Sequence, residues 1–278
     1  MPYLALQGTQ LFYECLGECQ GDGNPPLVFV HGYACRHDDW QPQVDFFRTR
    51  QYVVTCDLRG HGASDPDPER SNIETFGADI ISLMSALELA PAILIGHSTG
   101  CRVVLEAYLD APQRVAGLVL VDGSRLGTGD PQAAEEKARQ MFQSAWYTAT
   151  LRRLFDEMFL EGSNPALKER ILSRALALPE EIGATLLRSL LGWDARHMDK
   201  ALSQIAVPLL VLQSTHINTE GVRVPLQPGT TTPWSELIRQ HVPAAQIEIV
   251  SGAGHFSMLE APEAVNQTIA AFIAKLPH

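Results

Sequence analysis

Ala92-Ile93-Leu94-Ile95-Gly96-His97-Ser98-Thr99-Gly100-Cys101 decides how this 278-residue chain is read. Ala92 to Ile95 is a short, continuous apolar run, which suits a strand buried on both faces. From Cys101 to Leu109 the pattern is helical. Between them, Gly96-His97-Ser98-Thr99-Gly100 is a G-x-S-x-G pentapeptide in the strand–turn–helix setting that gives the motif its meaning. A serine on so tight a turn adopts a strained backbone. Glycines on either side remove the side chains that would clash there. The turn projects the Ser98 hydroxyl at the C-terminal edge of a sheet. The N–H of Thr99 sits at a helix N-terminus, where donors are unpaired and negative charge is favoured.

The same alternation extends outward. Leu11-Phe12-Tyr13-Glu14-Cys15 follows a Gly8-Thr9 turn and reads as one arm of an edge hairpin. Further apolar runs lie at 27–30, 52–56, 115–121, 208–212 and 247–250. Helical spacing occupies 73–89, where Phe76, Ile80, Leu83 and Leu87 recur at intervals of three and four, and again 264–275. Strand–helix alternation predicts an α/β fold with a mostly parallel sheet flanked by helices. The alternation stops over 124–203, which is helical throughout and opens at Asp130-Pro131. That block predicts a helical cap inserted into a core domain made of residues 1–123 and 204–278. Its place beyond a strand's C-terminal end is where ligands bind on such sheets.

Composition narrows the class. Apolar residues make up 45% and charged residues 19%, as in ordinary globular chains. A net charge of −11 argues against a nucleic-acid partner, which needs a basic face. No apolar run approaches the roughly 20 residues that span a bilayer. Met1 to Gly8 does not read as a signal peptide. Five cysteines, an odd count without zinc spacing, make a reducing cytoplasm the expected compartment.

A serine is a poor nucleophile near neutral pH until an imidazole takes its proton. His255 follows the last strand, 247–250, and so emerges at the same edge as Ser98. His31 and His61 sit in turn motifs and are expected to hold loops. His97, beside the serine, is a candidate pocket residue.

Four segments in order resemble the α/β-hydrolase family over nearly the whole chain. They are Val28-Phe29-Val30-His31-Gly32-Tyr33-Ala34, Asp57-Leu58-Arg59-Gly60-His61-Gly62-Ala63-Ser64, the pentapeptide, and Gly252-Ala253-Gly254-His255-Phe256. The resemblance implies a nucleophile elbow at Ser98 and a catalytic His255. It implies an oxyanion hole from the backbone N–H groups of Tyr33 and Thr99. The family's usual acid position, after 208–212, reads Gln213-Ser214-Thr215-His216 here and holds no aspartate. Two candidates remain for the third member. Asp122 ends the 115–121 strand, where a minority of the family carries its acid, as do cofactor-free quinolone dioxygenases and some lactone hydrolases. Glu220 lies on the long loop 213–234.

The expected activity is that of a serine hydrolase cleaving a carboxylic ester or lactone of a small apolar substrate through an acyl-enzyme, with no metal or organic cofactor. Trp40 and Trp146 join His97 as expected pocket residues, and Met141, Phe142, Phe155, Met158 and Trp193 give the cap an apolar stripe. Arg59 and Arg125, near strand ends, are candidate carboxylate ligands or surface charges. Two other readings stay open: a cofactor-free dioxygenase of an N-heteroaromatic substrate, and a signalling receptor on a hydrolase scaffold. Oligomeric state is not legible.

Overall fold

The computed structural model describes residues 2–17, 24–141 and 147–276. Strands β1 (Tyr3–Leu6) and β2 (Thr9–Leu16) form an antiparallel hairpin that turns at Gly8, whose φ of +79° suits glycine. The chain then lays down β3 (Leu27–Val30), α1 (Gln41–Phe47), β4 (Val53–Cys56), α2 (Ile73–Ala86), β5 (Ala92–His97), α3 (Thr99–Asp110) and β6 (Val115–Val121). Among the described residues, four helices follow: α4 (Pro131–Met141), α5 (Tyr147–Asp156), α6 (Pro165–Ala177) and α7 (Glu180–Ser203). The C-terminal part contains β7 (Leu209–Gln213), β8 (Thr215–Ile217), β9 (Arg223–Pro225), α8 (Pro233–His241), β10 (Gln246–Ile249), α9 (Ser257–Glu260) and α10 (Pro262–Ile273).

Eight strands form one sheet in the order β1-β2-β4-β3-β5-β6-β7-β10. Pairing is parallel from β4 through β10, and β2 meets β4 antiparallel. Every residue of β3, β4, β5 and β7 is buried, so these strands are apolar on both faces, as strands covered by helices on each side must be. The α/β architecture with a mostly parallel sheet is therefore the one expected from the sequence.

Parallel order puts the C-terminal ends of β3, β5, β6, β7 and β10 along one edge. That edge carries the His31-Gly32 turn, Ser98, Asp122, Ser214 and the loop to His255. The helices between β6 and β7 reach the same edge. His255 N–H donates to the Met158 carbonyl at 2.8 Å, and the Phe159 ring stacks on Phe256 with centroids 5.2 Å apart. A buried ion pair anchors this helical segment. Arg102 on α3 donates to both carboxylate oxygens of Asp194 on α7 at 2.8 Å, to Ser124 O at 2.7 Å and to Ser98 O at 3.3 Å. Asp194 in turn accepts from the N–H groups of Leu126 and Gly127.

The sequence gives no sign of β8 and β9, which pair antiparallel outside the main sheet. Their turn is held by Asn218, whose Oδ1 accepts from the N–H groups of Glu220 and Val222. Among the described residues no helix is long and apolar enough to cross a membrane.

Candidate active site

Ser98 links β5 to α3 at φ +53°, ψ −112°, a conformation that costs a non-glycine residue of order 1–3 kcal/mol. The flanking glycines allow the turn to close. A Cβ on Gly96 would collide with the Gly100 carbonyl, and one on Gly100 would stand 2.5 Å from Val30 O. Gly32 approaches the same turn. A Cβ there would lie 3.0 Å from His97 Nδ1 and 3.2 Å from the Ser98 Cβ.

Two neutral imidazoles brace the turn after β3. His31 Nδ1 donates to Gly32 O at 2.8 Å, and its Nε2 accepts from Leu58 N–H at 2.9 Å. His61 Nδ1 donates to Arg59 O, and its Nε2 accepts from Ala34 N–H at 3.3 Å. Burial, with His61 nearby, pulls the His31 pKa down to about 3, so the ring keeps one donor and one acceptor. Both histidines thus hold loops, as their sequence setting suggests. Among the described residues, the backbone N–H groups of Tyr33 and Thr99 have no hydrogen-bond partner. The Tyr33 hydroxyl meets that of Tyr147 at 3.0 Å, under Gly183, where a Cβ would strike both rings' hydroxyls.

His255 Nε2 lies 2.9 Å from Ser98 Oγ. Its other nitrogen has an unexpected neighbour: Nδ1 is 3.2 Å from an Nη of Arg223, which also donates to Thr215 Oγ1 at 2.9 Å. A guanidinium can only donate, so Nδ1 accepts and the hydrogen of the neutral ring sits on Nε2, toward Ser98. Burial first, then the charge of Arg223, His97 and Arg102, hold the His255 pKa well below the ordinary histidine value.

The expected contact between Asp122 and the His255 ring is absent: no hydrogen bond or ion pair joins them. Asp122 does end β6, with φ +49°, and is buried. Its carboxylate is taken up elsewhere. Oδ1 accepts from Ser214 N–H at 2.8 Å and Thr215 N–H at 3.3 Å, and Oδ2 from Ser257 Oγ at 2.7 Å. Ser214 Oγ is 2.8 Å from both carboxylate oxygens and 2.6 Å from Gly254 O. Asp122 therefore fastens the backbone after His255 through Ser257, while the single hydrogen of Ser214 Oγ serves either the carboxylate or the Gly254 carbonyl before it. Burial raises its pKa to about 6 against these donors. Glu220, the other candidate acid, is exposed on the β8–β9 turn, where its N–H donates to Asn218 Oδ1.

The pocket expectations fare differently. His97 is buried behind the site, where Nε2 donates to His255 O at 2.8 Å and the ring lies 5.2 Å from Phe256. Trp40 is fully buried against Phe29 at 5.0 Å, where it packs the base of the loop. The Gly32 turn comes close to His97, where a Cβ on the glycine would stand 3.0 Å from Nδ1. Trp146 and Phe142 lie outside the described residues. Arg59 is buried and donates to both oxygens of Asp79, and half-buried Arg125 pairs with Asp199. The sequence did not single out Arg223. Its only local signal is a short alternating run after Gly221.

The chain belongs to the alpha/beta hydrolase family, whose model matches residues 27–268. Within that family it is similar to 3-oxoadipate enol-lactonase 1 of Acinetobacter baylyi, 27% identical over 254 residues, 91% of this chain and 90% of that protein. In structure it resembles the enol-lactonase from Burkholderia xenovorans LB400, with a TM-score of 0.79 at 22% identity, covering 99% of this chain and 100% of that one. It also resembles a thermophilic esterase from Thermogutta terrifontis, with a TM-score of 0.80 at 23% identity, covering 99% of this chain and 97% of that one.

Proposed function

We propose that this protein hydrolyses a carboxylic ester or lactone of a small, largely apolar substrate by acyl transfer through Ser98. The observation that carries the reading is the 2.9 Å contact between Ser98 Oγ and His255 Nε2 on a strained turn. In this mechanism His255 takes the Ser98 proton as Oγ attacks the carbonyl. The N–H groups of Tyr33 and Thr99 hold the oxyanion, each worth about 3 kcal/mol in the transition state. The imidazolium then protonates the leaving alcohol, and water attacks the acyl-enzyme to release the acid. For the ring to act as base its hydrogen must sit on Nδ1, so Arg223 must leave that nitrogen during turnover.

Asp122 acts here as a positioning residue, through Ser214 and Ser257, and not as a partner of the ring. Residues 124–203 serve as a cap over the site. Relatives named as enol-lactonases and an esterase among its structural neighbours support ester or lactone bonds as the target. Cys15, Cys35, Cys56 and Cys101 are free thiols, in keeping with a reducing compartment.

A fluorophosphonate probe tests the reading. It should label the native protein at Ser98 and spare the Ser98→Ala variant, while p-nitrophenyl esters are turned over only by the former. Full esterase activity in Ser98→Ala would refute it. Oxygen uptake with a hydroxyquinolone would instead favour the dioxygenase reading.

A further inference from the structure

Behind His255, away from Ser98, the described residues enclose a cavity of about 330 Å³. None of Ser98, Thr99, Tyr33 and His255 lines it. Its walls include Arg125, Gln213, Thr215, His216, Arg223 and Trp234. In a chain of net charge −11, this wall carries no carboxylate; of its two arginines, Arg125 is paired with Asp199 outside the wall and Arg223 is not so paired.

Arg223 is the unusual member. It is half-buried, yet it forms no ion pair among the described residues; Asp122 and Glu157 act on it through their charge without pairing with it. Its recorded hydrogen-bond partners are a threonine hydroxyl and a neutral ring nitrogen. A guanidinium withdrawn from water without a carboxylate is an unfavourable arrangement that an anion relieves. Two neighbours in the same wall have nitrogens that are buried with no hydrogen-bond partner among the described residues: Trp234 Nε1, which can only donate and belongs to a side chain more than nine-tenths buried, and His216 Nδ1. The N-terminus of α8 opens into the cavity at Thr232 and Pro233, adding a favourable potential for negative charge. Ile217 and Leu237 give the rest of the wall an apolar character.

We propose that this cavity binds a small organic carboxylate with an apolar body, which pairs with Arg223 and draws it off His255 Nδ1. The ligand joins a fork of two N–H donors to a carboxylate, the geometry for which guanidinium is suited. Once Arg223 is engaged, Nδ1 is free to carry the ring hydrogen and Nε2 to accept from Ser98. The site couples an anion to the basicity of the histidine. That coupling rests on the hydrolase reading, whereas the binding itself does not. The carboxylate has two possible sources: a separate molecule, or a second carboxylate on the ester being cleaved.

Titration of the Ser98→Ala protein with sodium benzoate, followed by calorimetry and tryptophan fluorescence, measures binding without turnover. Saturable binding is expected, with benzamide failing to bind. Arg223→Gln should weaken benzoate by about tenfold or more, the loss of a charge-assisted pair. Arg223→Lys, which keeps the charge, should retain part of the affinity and guards against misfolding of the first variant. The kinetic arms then separate the sources. If the anion is a separate molecule, benzoate raises kcat for neutral p-nitrophenyl acetate. If it travels on the substrate, a half-ester of a dicarboxylic acid is preferred over the neutral ester. Either effect should vanish in Arg223→Gln. Equal binding of benzoate and benzamide, unchanged affinity in Arg223→Gln, or simple competition between benzoate and the neutral ester would overturn the site. Binding that leaves both rates unchanged would overturn the coupling. Loss of these results with Ser98 labelling intact would leave the hydrolase reading standing.

Discussion

Asp122 and His255 are joined through the backbone and not through the imidazole. Ser257 Oγ, two residues after the histidine, donates to Asp122 Oδ2 at 2.7 Å. Ser214 Oγ, beside the carboxylate, reaches the carbonyl of Gly254, one residue before it, at 2.6 Å. The carboxylate holds the far flank of the loop through Ser257, packs against Ser214 at the near flank, and leaves the ring to Arg223.

Asp122 should govern the acid limb of the pH profile. Its pKa is raised to about 6 by burial, whereas that of His255 lies well below the ordinary histidine value. As pH falls through about 6, a protonated Asp122 loses acceptor capacity toward Ser214, Thr215 and Ser257, and kcat/KM should fall with it. In Asp122→Asn that limb should disappear, on a lower overall rate. An unchanged limb in the variant would assign it to another group. The sign for stability is opposite. The folded pKa exceeds the unfolded value, so this carboxyl favours the fold at low pH, and that contribution is lost as pH rises through about 6.

Ser98→Ala should lower ester turnover by at least about 10⁴-fold, since nucleophile and base act as one unit. Thermal unfolding should hardly move, because the alanine also sits on the strained turn. Steady-state rates with p-nitrophenyl acetate and a melting curve check both.

Asp194→Ala should unfold far more readily. It strands Arg102, which is almost fully buried, together with the N–H groups of Leu126 and Gly127. Removing one partner of such a pair costs about 3–5 kcal/mol. Urea unfolding of variant and native protein measures it, and a loss below about 1 kcal/mol, the scale of an exposed pair, would contradict the anchoring role.

Asp57 should contribute acid-sensitive stability. Burial alone would raise its pKa, but the hydrogen bonds and charge of His37 outweigh that and bring it to about 2, from an ordinary 3.8. A depressed carboxyl stabilises the fold above the unfolded pKa, and the contribution fades as pH drops toward 2. A shift of this size corresponds to about 2 kcal/mol at neutral pH. Asp57→Asn should show a smaller difference in stability between pH 7 and pH 3 than the native protein does.

The sheet was readable because its strands are buried on both faces. Runs such as Leu27–Val30 and Val115–Val121 stand out as apolar segments with the bounds the structure gives them. Ser98 and His255 were readable because each follows such a run in a glycine-rich turn. Asp122 was placed at the right strand end, but its partners were not, because Ser214 and Ser257 carry no motif. Their hydroxyls and amides compete for the carboxylate, a matter of three-dimensional proximity. The bond of Arg223 to His255 and that of Arg102 to Asp194 join residues 32 and 92 positions apart. A buried arginine inside an otherwise ordinary pattern looks, in one dimension, like a surface one.

Arg223 rides on β9, and β9 pairs only with β8. The hairpin stands outside the eight-stranded sheet and is tied to the site by Thr215, whose N–H donates to Asp122, and by Arg223. Sequence drift at position 223 would alter the chemical temperament of the histidine without touching the ladder of the main sheet. Such an appendage is an inexpensive dial for evolution, or for an engineer, to turn.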